Sequence, residues 1–205
     1  MTISMLEIMF SDKFATVKNG NVTVELRDDS DVAEKVKLYL DKTIVKNDEY
    51  VEEIRIHLLS YCNPPKLPVG IQCRNWILKC ESHTPYTSDL LESIPLNCEK
   101  LHVDVDNGGL GEQASCEQVK SAVDLSLQAP GNGGSGTPEV SNIQLLDPKA
   151  EKLFLTSQAI DESGVNALLQ KITKSSCVNP CSARIEFRPI TEDPSSSLMG
   201  MECVR

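Results

Sequence analysis

The chain has 205 residues, 40% of them apolar, with 30 acidic against 20 basic residues and a formal charge of −10. That balance opposes phosphate backbones and anionic membranes, because Lys13, Lys18, Arg27, Lys35 and Lys37 are each diluted by nearby acids. No apolar run approaches the roughly 18 residues that a spanning helix requires, so neither a nucleic acid nor a membrane is an expected partner.

The opening segment MTISMLEIMFSDKF is interrupted by Glu7 and Asp12 and carries neither a basic region nor a small-residue cleavage site. It does not read as a secretion signal. An intracellular location, cytoplasmic or nuclear, is the resulting expectation. Reduced thiols follow for Cys62, Cys73, Cys80, Cys98, Cys116, Cys177, Cys181 and Cys203, whose irregular spacing is unlike a disulfide framework.

Seven short segments alternate apolar with charged or polar residues. They are Val22–Leu26, Ile54–Leu58, Trp76–Cys80, Leu101–Val105, Val123–Leu127, Leu153–Thr156 and Ile185–Phe187. The steps between their centres are about 32, 22, 25, 22, 30 and 32 residues, near the period of leucine-rich repeats. Each step holds one strand, a turn and a helical or irregular return, which is the unit that builds a parallel sheet.

Between the first two strands, Val32, Val36, Leu40 and Ile44 recur at helical spacing after Asp28, Asp29 and Asp31, which predicts a helix over 31–44. The acidic run is read as helix-dipole stabilisation, since a calcium loop also needs a glycine turn and a downstream bidentate glutamate. Pro64, Pro65 and Pro68 hold the next return extended. Shorter helical turns are expected at 88–94, 112–120 and 139–146. A longer helix is predicted over 161–174, where Ile160, Val165, Leu168, Leu169 and Ile172 mark one face, Asp161 or Ser163 can cap the start and Lys171 and Lys174 suit the end.

The fold expected is therefore α/β: an irregular leucine-rich-repeat-like solenoid with a mainly parallel sheet and helices or irregular returns on its other side. Residues 1–190 form one domain, with a break expected in the glycine- and proline-rich loop 128–138, and 191–205 form a flexible tail.

No catalytic constellation stands out. Cys177-Val-Asn-Pro-Cys181 lacks the second ligand pair of a structural zinc site and reads as two thiols around a proline turn. A cysteine nucleophile would need one of His57, His83 or His102 brought beside it by the fold. His57 and His102 fall at polar-facing strand positions and read as exposed or edge histidines. Asn107–Gly111 and Gly131–Gly136 lack the Lys-Ser/Thr or strand-and-helix setting of a phosphate loop. No metal, cofactor or enzymatic activity is expected.

What remains is a surface. In a parallel solenoid the outward residues of successive strands share one face, here Arg55, His57, Lys79, His102, Asp104, Asp124, Ser126, Phe154, Glu186 and Arg188. A phase shift of one residue along any strand would exchange these for their neighbours. This mixed-charge ridge suits a protein partner.

Four short words add a resemblance: Lys18-Asn-Gly-Asn-Val-Thr-Val24, Lys66-Leu-Pro-Val-Gly70, Ser93-Ile-Pro-Leu96 leading into Cys98–Val103, and Leu145-Leu-Asp-Pro148 leading into Glu151–Leu155. In this order, across roughly 15–190, the chain resembles the nematode F-box-associated proteins. That resemblance implies an adaptor, whose F-box engages the linker subunit of a cullin-type ubiquitin ligase while the repeat region selects a protein substrate. No F-box pattern precedes Lys18, so ligase subunits are expected only if an F-box is supplied. The expectation is a protein-interaction module, possession of a cysteine-dependent hydrolase or transferase activity being the alternative.

Overall fold

The computed structural model describes residues 2–27, 31–59, 64, 66–81, 86–106, 110–129, 139–157, 159–174, 182–187 and 200–203. Its first strand, β1 (Thr2–Phe10), follows from strict alternation: Leu6, Ile8 and Phe10 are buried while Glu7 and Met9 lie between them, half-buried. Two more strands fold back on it, β2 (Phe14–Asn19) and β3 (Val22–Arg27), both antiparallel to their neighbours. The two-residue loop between them begins with Gly20 at φ 57°, a left-handed conformation that suits a tight hairpin.

Helix α1 (Val32–Leu40) starts where the Asp31 carboxylate accepts the Glu34 N–H at 2.9 Å. Val32, Val36 and Leu40 are buried along one stripe, which a π-helical turn, Asp41–Val45, extends to Ile44. The chain then enters β4 (Tyr50–Leu58), which lies parallel to β1 with Ile54 opposite Leu6. The return from β4 to β5 (Gln72–Cys80) has no helix among its described residues; Leu67 and Ile71 are buried along it.

Beyond β5 the pattern becomes regular. Strands β6 (Lys100–Val105), β7 (Asp124–Gln128), β8 (Lys152–Ser157) and β9 (Ser182–Phe187) each pair in parallel with the one before. The strand series β1, β4, β5, β6, β7, β8, β9 is thus laid down in chain order, flanked by β2 and β3 at one edge and by β10 (Gly200–Cys203), antiparallel to β9, at the other. Register-matched residues Ile54, Trp76, Leu101, Leu125, Leu153 and Ala183 are about 22 to 30 residues apart.

Short helices fill the returns: α2 (Tyr86–Glu92), α3 (Gly111–Ala114), α4 (Glu117–Ser121), α5 (Asn142–Leu145) and the longer α6 (Glu162–Lys174). Leu90, Leu91, Val119, Leu145, Val165 and Leu168 are buried in the same core as Trp76, Leu78, Leu101, Val103 and Leu125. Each such side chain stabilises the fold by about 1.5–3 kcal/mol relative to exposure. The helices are also tied to one another. Gln144 closes a capping box with Ser141 and donates through Nε2 to the Gly111 carbonyl at 2.6 Å and to Ser115 Oγ at 2.9 Å, joining α5 to α3.

The α/β class and the mainly parallel sheet agree with the sequence reading, and four details differ. Val22–Leu26, expected as the first parallel strand, belongs to β3 at the antiparallel edge; β1 begins the parallel series. Alternation marks a strand but not its neighbour, and the Gly20 turn sends β3 back along β2. The helix expected over 112–120 is two helices, because Cys116 is extended at φ −68°, ψ 140°. Residues 200–203, inside the expected tail, form β10 against β9. The sheet also continues across the expected break, since Leu125 pairs with Leu153; residues 130–138 of that loop lie outside the described ones.

Candidate functional site

Because side chains alternate across a strand, burying Trp76, Leu78 and Cys80 on the helix side of β5 turns Ile77 and Lys79 to the other side. The same parity operates on the neighbours and assembles rungs across the sheet. One rung reads Glu7, Arg55, Ile77, His102, Ser126 and Phe154 from β1 to β8. The next, two residues further along, reads Met9, His57, Lys79, Asp104 and Gln128. The rung before the first holds Glu53, Asn75, Lys100, Asp124 and Lys152.

Six of the residues expected to share a face, Arg55, His57, Lys79, His102, Asp104 and Asp124, therefore do share it, and the strand phase is the one the burial pattern demands. Ser126 and Phe154, also expected there, share it as well, with Ser126 buried within it. Glu186 stands opposite Thr156 in the β8–β9 register, and Arg188 lies outside the described residues. The two histidines are not the exposed ones expected from alternation: both are half-buried, because a sheet interior surrounds each with neighbours on two sides.

Around Ile77 the face sinks into a depression of about 430 Å³ lined by Glu7, Arg55, Ile56, His57, Ile77, Lys79, Lys100 and His102. Arg55 donates through Nε to Glu53 Oε1 at 2.7 Å. His57 Nε2 is buried without a hydrogen bond, 3.6 Å from the Glu81 carboxylate. Asp104 Oδ1 is likewise buried without a hydrogen-bond partner. Burial pushes the Asp104 carboxyl above its ordinary range, against the pull of the Lys79 ammonium, and Asp106 adds to the rise. Burial lowers His102, Asp104 opposes the shift, and Lys100 adds to it. The centre of the face is thus a set of mutually dependent charges, which sequence alternation located but whose mutual shielding it could not reveal.

The cysteines are arranged differently. Cys80 and Cys98 are buried in the core and Cys73 is packed against it. The sheet itself separates Cys80 from His57 and His102. Burial pushes the Cys73 thiol up to about 12 and the Cys98 thiol up to about 11, and it raises Cys116 as well. Cys116 lines a groove on the helical side with Ser88, Glu92, Glu112 and Glu117. His83, Cys62, Cys177 and Cys181 lie outside the described residues, as do Asp28 and Asp29, whereas Asp31 caps α1. Among the described residues no group of three or more His, Cys, Asp or Glu is placed to hold a metal ion, and no helix is long and apolar enough to cross a membrane.

No family model, no curated protein and no solved structure matches this chain.

Proposed function

We propose that this chain is a protein-interaction module that binds its partner on the open face of the sheet, an intracellular protein built as a leucine-rich-repeat-like solenoid. The observation that carries the reading is the strand order: successive parallel strands are neighbours, so residues about 22 to 30 apart in sequence line up as rungs on one side while the helices pack on the other. Such a surface presents Arg55, Lys79, His102 and Asp104 in fixed relative positions, and the rigid sheet limits the entropy lost on binding. Free thiols at Cys73, Cys80, Cys98 and Cys116 fit a reducing compartment.

Within this reading, the resemblance to the F-box-associated proteins assigns the face the role of selecting a substrate for a ubiquitin ligase. The test is photo-crosslinking in cells with the reactive residue placed at Arg55, Lys79 or Phe154 on the face, or at Lys37 or Leu38 on α1. Specific adducts from the face positions alone are expected. Equal capture from α1, or none from the face, removes the proposal. Recovery of ligase subunits only after an F-box is fused to the chain is the further expectation for the adaptor role.

A further inference from the structure

The chain carries a formal charge of −10, yet cations outnumber carboxylates in the lining of the depression around Ile77. Arg55, Lys79 and Lys100 line it together with His57 and His102, against the single carboxylate of Glu7. The register explains how cations so far apart in sequence meet. Arg55 and His102 flank Ile77 on its own rung, Lys79 is two residues ahead on the same strand, and His57 and Lys100 occupy opposite diagonals. With strands about 4.8 Å apart and about 6.7 Å between alternate residues, all of these lie within one side chain's reach of the centre.

Not all of the positive charge is already satisfied. Glu53 holds Arg55, and Glu7 lies 4.0 Å from Lys18. Among the described residues neither Lys79 nor Lys100 closes an ion pair in direct contact, although Asp104 stands opposite Lys79 and feels its charge and Asp124 stands opposite Lys100. His57 Nε2 adds a polar atom with no hydrogen bond at the edge of the same depression. Ile77 forms an apolar floor on which methylene groups can rest.

Resting on the reading of this face as a docking surface, we propose that the depression receives an acidic segment of the partner protein, with glutamate or aspartate side chains placed over Ile77 and their carboxylates on Lys79 and Lys100. The volume of about 430 Å³ takes a few side chains and not a folded body, so the recognised element is a segment or loop. Charge complementarity selects its chemistry. A nucleic-acid backbone fits poorly, because its regularly spaced phosphates would run from this small patch onto Glu53, Asp104 and Asp124.

The test uses the full chain and a fluorescein-labelled peptide of alternating glutamate and glycine, with anisotropy as the readout. The same peptide with glutamine, one with phosphoserine, and a thymidine oligonucleotide serve as comparisons. The glutamate peptide is expected to bind about tenfold or more tightly than the glutamine one, and to weaken as sodium chloride rises from about 50 to about 300 mM. Lys79→Gln and Lys100→Gln should each weaken it by about three- to tenfold, while Lys37→Gln on α1 leaves it unchanged. Lys79→Glu combined with Lys100→Glu should instead favour a lysine-bearing peptide, an outcome that a merely unfolded variant cannot give.

Equal binding of the glutamate and glutamine peptides overturns the proposal. So does equal loss from Lys37→Gln, or preference for the phosphoserine peptide or the oligonucleotide. If face positions crosslink a partner in cells but the glutamate peptide does not bind, the acidic ligand is wrong and the docking face stands. If the peptide binds and its affinity falls with Lys79→Gln and Lys100→Gln, the acidic site is supported even where no cellular adduct forms, and only the wider reading of the face fails.

Discussion

Asn142, in the return between β7 and β8, and Asp161, in the return between β8 and β9, hold each other: Asn142 Nδ2 donates to Asp161 Oδ1 at 2.8 Å, and the Asp161 N–H donates to Asn142 Oδ1 at 3.1 Å. The same carboxylate oxygen accepts from the Ser163 hydroxyl at 2.7 Å and from the backbone N–H groups of Ser163 and Gly164. The start of α6 is thereby fastened to α5.

These bonds, the Ser163 hydroxyl foremost, hold the Asp161 carboxyl down at about 2, below its ordinary value of 3.8. Its folded-state value is depressed, so its contribution to stability is present above about pH 4 and is lost as pH falls toward 2. Asp161→Ala should lower Tm at pH 7, and the difference from the parent should shrink across that acidic window. Thermal melts at a series of pH values check this; a difference that stays constant down to pH 2 would show that the carboxylate charge is not the cause.

Gly164 sits against the same asparagine. A Cβ built at Gly164 meets Asn142 Oδ1 and Cγ too closely to be accommodated without movement. Alanine is otherwise better than glycine in a helix by about 1 kcal/mol. Gly164→Ala should therefore destabilise the parent chain and cost clearly less in the Asn142→Ala variant, where only the contact with the residue 142 Cβ at 3.1 Å remains. Urea unfolding of the four proteins in this cycle reads the difference, and an equal cost in both backgrounds refutes the contact.

Adjacent residues on β5 should respond oppositely to truncation. Leu78 is fully buried on the core side, while Ile77 is half-exposed on the open face of the sheet. Leu78→Ala is expected to cost about 2–5 kcal/mol, and Ile77→Ala well under half of that. Denaturant unfolding measures both. Comparable losses would mean that the strand phase is wrong.

At Asp104 the shift has the other sign. Burial raises its folded-state value above the ordinary 3.8, so the favourable contribution is present below about pH 4 and disappears as pH rises through the folded value. At pH 7 an ionised, partly buried carboxylate opposes folding. Asp104→Asn should raise Tm at pH 7, with the gain vanishing below about pH 4. A fall in Tm at pH 7 would show that attraction to Lys79 outweighs burial.

Thiols held up at about 12 and about 11, as Cys73 and Cys98 are, carry almost no thiolate at pH 8. Iodoacetamide should label them in the native protein at least about a hundredfold more slowly than after denaturation. Rapid native labelling of either, located by peptide mapping, would return the cysteine-dependent alternative to consideration.

The local order of this protein was legible in its residues. Alternation marked six of the parallel strands, and the stripes Val32-Val36-Leu40-Ile44 and Val165-Leu168-Leu169 marked the two longer helices, because a period of two or of 3.6 is set by nearest-neighbour geometry. The same alternation placed Arg55, His57, Lys79, His102, Asp104 and Asp124 on one side. Their meeting was decided by tertiary structure. Only the register of β4, β5 and β6 brings Arg55, Lys79 and Lys100 around Ile77, and only the surrounding sheet partly withdraws His102 and Asp104 from water. The strand β1 shows the same division: Glu7 and Asp12 broke a continuous apolar run in the sequence, while pairing with β4 and β2 turned Leu6, Ile8 and Phe10 into core. Period is a local property, whereas neighbour, register and burial are fixed by contacts between residues far apart in the chain.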